Sequence, residues 1–192
     1  MEGISTERLR CLDELYPTWE NCTIWEHFER SAKRFPENDF LIYEDRTFSY
    51  DEIRTYALEF SENLAALGVG PETHVAVRLN NCPEYVCMIL ALARIGAVKI
   101  PVNICANAEE LSYILEKAEA EYFFTDEWKK YPEWIFHNGI RKVIAVGYDG
   151  TADKRMMSFT DFRKNRSSWK EQKIDPFAMS DIMFTSGSTS HP

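Results

Sequence analysis

Ile24, Trp25, Phe28, Ala32 and Phe35 recur at helical spacing, which predicts an amphipathic helix running to about Arg34 and stopping before Pro36. Two short apolar or aromatic runs, Phe40 to Tyr43 and Arg46 to Tyr50, flank Glu44-Asp45 and read as a hairpin. Ser49 and Glu52 have the spacing of a capping box, with Phe48 placed to staple onto Ile53, so a second helix begins here. Its apolar face is Ile53, Tyr56, Ala57, Phe60, Leu64 and Leu67, and Gly68 followed by Pro71 supplies the stop. The Gly68-Val69-Gly70 pair therefore closes a helix, whereas a dinucleotide-binding glycine loop must follow a strand and open one.

From His74 onward strands and helices alternate. The predicted order is a strand at Val75 to Leu79, a helix from Pro83 to Ile95, and a strand at Val98 to Ile100. A helix capped by Asn107 follows from Ala108 to Ala118, then a strand at Tyr122 to Thr125. Asp126 is placed to cap a further helix. A strand at Val143 to Val146, a turn at Gly147 to Gly150, a short helix near Phe159 to Arg163 and a last strand at Ile182 to Phe184 complete the series. Strands joined by helical crossovers cannot pair as hairpins, so the expectation is an α/β fold: a layered parallel sheet with helices on both faces. The charged, Ser-rich stretch from Lys164 to Lys173 is the linker candidate.

At 192 residues and 45% hydrophobic, the chain has enough apolar material for a real core and is not read as disordered. A net charge of -9 argues against nucleic acid or an anionic membrane surface as partner. The densest basic stretch, Arg163, Lys164, Arg166, Lys170 and Lys173, is diluted by acids and serines and reads as a solvated helix end. Five cysteines (Cys11, Cys22, Cys82, Cys87, Cys105) lack the paired spacing of a zinc site and suit reduced thiols in a cytoplasmic protein. The segment Met1 to Leu15 lacks a signal-peptide core, and the longest apolar run, Val86 to Ala93, is too short to span a membrane.

The chemistry concentrates at the end of the chain, where the apolar strand Ile182 to Phe184 runs directly into Thr185-Ser186-Gly187-Ser188-Thr189-Ser190. In parallel α/β sheets ligands bind beyond the carboxyl ends of strands, and a loop of small residues there lets backbone N–H groups approach anionic oxygens. The segment is not a Walker A loop, because the second glycine and the Lys-Ser/Thr pair are missing. Taken alone, the same composition also suits a flexible chain end.

The segment resembles the phosphate-binding signature of the adenylate-forming superfamily (AMP-dependent acyl-CoA synthetases and ligases, luciferases and nonribosomal peptide adenylation domains), which typically reads Tyr/Phe-Thr-Ser-Gly-Thr/Ser-Thr-Gly-x-Pro-Lys-Gly. Phe184 to Thr189 and Pro192 match it. Arg46 to Ile53, Leu67 to Pro71, Asn81 to Tyr85, Leu92 to Val98 and Pro101 to Asn103 are similar to earlier elements of the family, so nearly the whole chain is covered. Ser190 stands where most members have glycine, and Thr-Ser-x-Pro at this place resembles the crotonobetaine/carnitine-CoA ligase branch.

The resemblance implies that residues 1–192 are a partial N-terminal adenylation domain: a leading helix and hairpin at 1–50, then at 51–192 an α/β sheet ending in the phosphate loop. It implies ATP, CoA and Mg2+ as cofactors of the complete enzyme and a small carboxylic acid as substrate. By transfer of the motif, Thr185, Ser186, Gly187, Ser188, Thr189 and Ser190 bind the ATP phosphates. No catalytic or metal-ligating residue is assigned. The chain ends before the family's loop lysine and catalytic lysine, so the fragment alone is expected to be inactive, with no cofactor bound.

The alternatives are a non-catalytic α/β interaction module that self-associates through an exposed truncated sheet, and a flavodoxin-like flavin binder, whose phosphate loop should follow the first strand instead. His27 and His74 lack a partnering base and are read as packing or surface residues. The Tyr122-Phe123-Phe124 strand, Trp128 and Trp134 are read as core and helix packing.

Overall fold

Thr23 opens the first described helix, α1 (Ile24–Arg34), because its hydroxyl accepts from the Glu26 amide while the Glu26 carboxylate accepts from the Thr23 amide. The computed structural model describes residues 22–130, 135, 136, 139–149, 153–167 and 169–185, together with Arg10 and Glu14. Cys11 and Trp134 lie outside these residues. The predicted hairpin is present as β1 (Asp39–Tyr43) and β2 (Arg46–Ser49), paired antiparallel around a turn in which Glu44 takes a positive φ.

The reciprocal Ser49–Glu52 capping box starts α2 (Tyr50–Ala66), and Gly68, at φ 86°, turns the chain out of it. Next come β3 (His74–Arg78), α3 (Pro83–Ile95) and β4 (Val98–Pro101). Pro83 suits the first turn of α3, where an amide would lack a partner in any case, and Gly96 closes the helix at φ 71°. A third capping box, between Asn107 and Glu110, starts α4 (Ala108–Lys117), which leads to β5 (Tyr122–Thr125). Then come β6 (Lys142–Ala145), β7 (Met156–Ser158) and α5 (Phe159–Lys164).

The main sheet has the order β4-β3-β5-β6-β7, and all of its pairings are parallel. Alternation along the strands sends side chains to two cores. Val75, Val77, Tyr122, Phe124 and Ile144 face α1, α2, α3 and α5, while Ala76, Ile100, Phe123 and Val143 face α4 together with Ile135, Phe136 and Ile140. Helices therefore cover both faces, in agreement with the alternation of elements along the chain. Each fully buried large apolar side chain contributes about 1.5–3 kcal/mol of transfer free energy.

The structure corrects the sequence reading in four places. Met156–Ser158 forms an edge strand that the sequence pattern does not predict. Asp126 turns its carboxylate toward the loop after β3, accepting from the Asn80 amide at 2.8 Å, and the described residues just beyond it form a 3-10 turn, Trp128–Lys130. The linker candidate is strapped along α2: Arg166 donates to Glu59 at 2.9 Å, the Ser167 amide donates to the Glu62 carbonyl, and Trp169 packs against the first core. Ile182 to Phe184 is not a full strand but comes after a single parallel bridge between Asp181 and Lys99.

Gly96 is tied to the C-terminal segment, because a Cβ there would lie 2.9 Å from Ile174 Cδ1 and 3.3 Å from Ile174 Cγ2. Gly96→Ala combines that crowding with a left-handed backbone, which costs an L-residue roughly 1–2 kcal/mol. Urea unfolding should show this loss with an unchanged denaturant slope; an unaltered midpoint would contradict the packing described.

Candidate functional site at the carboxyl edge

Because every pairing of the main sheet is parallel, the strands end on one side, where β3 finishes at Arg78, β4 at Pro101, β5 at Thr125 and β6 at Ala145. The C-terminal segment joins this edge beside β4. The Lys99 amide donates to the Ser180 carbonyl at 2.9 Å, and the Ile182 amide donates to the Lys99 carbonyl at 3.0 Å. Ile182 and Phe184 then pack against the core on the α4 side, with the Phe184 ring edge-on to Tyr113 at 6.1 Å. The segment thus runs in the direction of β4 and carries the exposed Thr185 toward the carboxyl edge. Thr185 is the one predicted phosphate-binding residue that the structure places; Ser186, Gly187, Ser188, Thr189 and Ser190, with His191 and Pro192, lie outside the described residues.

Arg78 ties the loops of this edge together. Its side chain is 2% exposed, on the α4 side of β3. Nη2 donates to the Ile104 carbonyl in the loop after β4 and, at 2.8 Å, to Glu127 Oε2 in the loop after β5. Asp126 Oδ1 lies 3.8 Å from Nη1. The Asp126 carboxylate also accepts from the Asn80 side chain at 2.6 Å, so the loops after β3, β4 and β5 form one connected polar network. Asn103 and Thr125 tighten two of these loops locally, accepting from the amides of Cys105 and Glu127. A charge this deeply buried is held only when paired and hydrogen-bonded, and the sequence reading gave Arg78 no role, since partners 26 to 49 residues away leave no local signature.

A cavity of about 360 Å³ lies elsewhere, between the hairpin tip, α2, α3 and α5. Arg46 stacks over Phe48 and Arg163 over Tyr56 on its walls, with Glu44, Asp45 and Glu84 also lining it. None of its lining residues comes from the segment beside β4, so its size does not make it the phosphate site. Cys87 also lines it, and burial pushes that thiol up to about 12; Cys82, at the start of α3, is pushed up to about 11, again chiefly by burial. Both are therefore poor nucleophiles at neutral pH.

The remaining sequence candidates have structural partners. His74 stands at the start of β3, away from the carboxyl edge, and its Nδ1 donates to the Ala118 carbonyl at 2.6 Å. Lys164 pairs with Asp161 at 3.1 Å, while Arg163 and Arg166 both meet Glu59. Trp128 packs edge-on against Tyr148. Among the described residues, no group of three or more His, Cys, Asp or Glu could hold a metal ion, and no helix is long and apolar enough to cross a membrane.

Residues 28–192 match the family model described as AMP-binding enzyme. The chain is 28% identical over 153 residues to a crotonobetaine/carnitine–CoA ligase from Salmonella agona (strain SL483), an alignment covering 77% of this chain and 30% of the ligase. It is 26% identical over 178 residues to tyrocidine synthase 1 of Brevibacillus parabrevis, covering 93% of this chain and 15% of that protein. Among solved structures, an anthranilate CoA ligase in complex with anthranoyl-AMP superposes with a TM-score of 0.78 at 18% identity, over 90% of this chain and 34% of that one. A point mutant of coronafacic acid ligase from Pectobacterium brasiliense superposes with a TM-score of 0.80 at 13% identity, over 85% and 33% of the two chains. The chain thus spans about a third or less of the length of these relatives.

Two measurements check the geometry of the edge. Arg78→Met leaves two carboxylates and a carbonyl without their shared donor; since those carboxylates keep some contact with water, the expected loss is about 2 kcal/mol on chemical denaturation. In a timed alkylation at pH 8 followed by peptide mapping, exposed Cys105 should be modified well before Cys82 and Cys87; early labelling of Cys87 would contradict its burial.

Proposed function

The chain belongs to the AMP-binding enzyme family, and from that premise we propose that it supplies the phosphate-gripping segment of an ATP-dependent acid–CoA ligase. The observation that carries this reading is the parallel seat of the C-terminal segment on β4, which sends Thr185 toward the edge where a parallel sheet receives anionic ligands. Thr185, Ser186, Gly187, Ser188, Thr189 and Ser190 offer amides and hydroxyls with little side-chain bulk, suited to the β and γ phosphates of ATP.

In the complete reaction a carboxylate oxygen attacks the α-phosphorus of ATP, the bond to the β-phosphate oxygen breaks, and pyrophosphate leaves. The CoA thiol then gives up its proton and attacks the acyl carbon, and AMP departs from the mixed anhydride. The contribution of this chain is to the first step: fixed donors meet the charge that builds on the leaving pyrophosphate. Hydroxyls of this segment, such as that of Thr185, would be available to the Mg2+ that accompanies ATP.

Ser190 in place of glycine supports a carnitine- or crotonobetaine-like acid as substrate, in line with one relative being a crotonobetaine/carnitine–CoA ligase. Transfer to CoA is favoured over an adenylation role in peptide synthesis by the same residue. The balance of thiols over disulfides among the described cysteines, together with the acidic surface, supports a cytoplasmic setting.

A second reading rests on a separate observation. Phe177, Met179 and Met183 are 77%, 56% and 73% exposed along one short segment, which favours burial of this surface against another polypeptide surface. Size-exclusion chromatography with light scattering decides for self-association: a concentration-dependent dimer supports it, and a monomer at all concentrations rejects it.

Acid-dependent ATP–pyrophosphate exchange in the complete polypeptide, with crotonobetaine, carnitine, short fatty acids and aryl acids, tests the main reading. Gly187→Val should lower exchange by about a hundredfold or more with an unchanged circular dichroism spectrum, because a branched Cβ blocks backbone approach to phosphate. Unchanged exchange contradicts the loop's role. Calorimetry on the 192-residue chain alone should detect no micromolar ATP binding; micromolar affinity would show that the site is more complete than proposed.

A further inference from the structure

We propose that the Lys99–Asp181 ion pair is a positioning device that fixes the register of the segment feeding the phosphate loop; this rests on the reading of Thr185 to Ser190 given above. Lys99 Nζ lies 2.8 Å from Asp181 Oδ1, and the two side chains are 15% and 25% exposed. The same two residues form the parallel bridge, so backbone and side-chain contacts coincide at one point.

The backbone contacts of this segment near the pair are few among the described residues. Two backbone hydrogen bonds bracket Lys99, and beyond them Ile182 and Phe184 rest against the α4-side core. Lys99 alternates with the buried Val98 and Ile100 on β4, which directs it to the opposite face from Ile100. Asp181 sits on that face as well, near Tyr85 of α3, and its Oδ2 accepts from the Ser180 hydroxyl at 2.8 Å. A slip of one residue in either direction sets Ser180 or Ile182 opposite Lys99, breaks the ion pair and turns Ile182 and Phe184 away from their core. It also moves every donor downstream by about 3.3 Å, more than a phosphate hydrogen bond tolerates. The ion pair thus selects the register of the segment that leads into Thr185.

The test has two readouts, one on the chain and one on the complete polypeptide. In the chain, Asp181→Asn and Lys99→Met should each speed hydrogen exchange at the Ile182 amide by about tenfold, with distant amides of β5 and β6 unchanged. In the complete polypeptide the same variants should raise KM for ATP by about tenfold and leave KM for the acid within twofold. The swapped double variant Lys99→Asp with Asp181→Lys should recover most of both effects, which a role in general stability would not produce. Unchanged Ile182 exchange, or KM values for ATP and acid that rise together without recovery in the swap, overturns the proposal. If the unaltered polypeptide shows no exchange with any acid while Ile182 exchange still accelerates in the variants, the phosphate-loop reading fails and the register lock stands.

Discussion

Parallel pairing is the constraint on which the rest of this structure depends. Strands that all run one way need long crossovers, and these crossovers become the helices α3 and α4 that bury the two faces of the sheet. They also bring every strand end to one side, so loops distant in sequence meet there without any local design. The C-terminal segment obeys the same rule when it pairs with Lys99 in the direction of β4. Were that single bridge antiparallel, Thr185 would point back toward the edge where His74 meets Ala118.

The polar groups at the carboxyl edge divide into two kinds of work. Arg78 is deeply buried, hydrogen-bonded to Ile104 and Glu127 and ion-paired with Asp126, so it sets the mutual positions of three loops. Thr185 is exposed and belongs to a segment whose amides and hydroxyls are unencumbered by bulk. Rigid support behind hydrogen-bond donors is what preorganised electrostatic stabilisation requires. The cavity beside the hairpin shows why volume alone is a poor guide: its mixed charges and the strongly raised Cys87 thiol offer neither a phosphate nest nor a nucleophile.

Much of the fold was legible in the sequence because its boundaries are chemical. Ser49 with Glu52, Asn107 with Glu110, Pro83 at a first turn and Gly96 at a last one each fix a helix end through local hydrogen bonding or backbone geometry. Tyr122 to Thr125 is fully buried and reads as an apolar run. The features that escaped were non-local or too brief. Met156–Ser158 is three residues long and stands as a strand only through its pairing with β6. Asp126 looked like a helix cap because its link to Asn80 spans 46 residues. The Arg166–Glu59 tie, which makes an apparent linker part of the α2 surface, spans 107. Of the site, the loop's composition and its place after an apolar run were readable, whereas the Arg78 support and the Lys99–Asp181 pair were not.

The central claim is that the segment leaving Phe184 delivers its donors to a nucleotide's phosphates. A crystal structure of the complete polypeptide with Mg2+ and a non-hydrolysable ATP analogue tests it most directly. The expected result is β and γ phosphates within hydrogen-bonding distance of the amides or hydroxyls of residues 185–190, beyond the carboxyl end of β4. Phosphates bound at any other place, with those residues turned away, would contradict it.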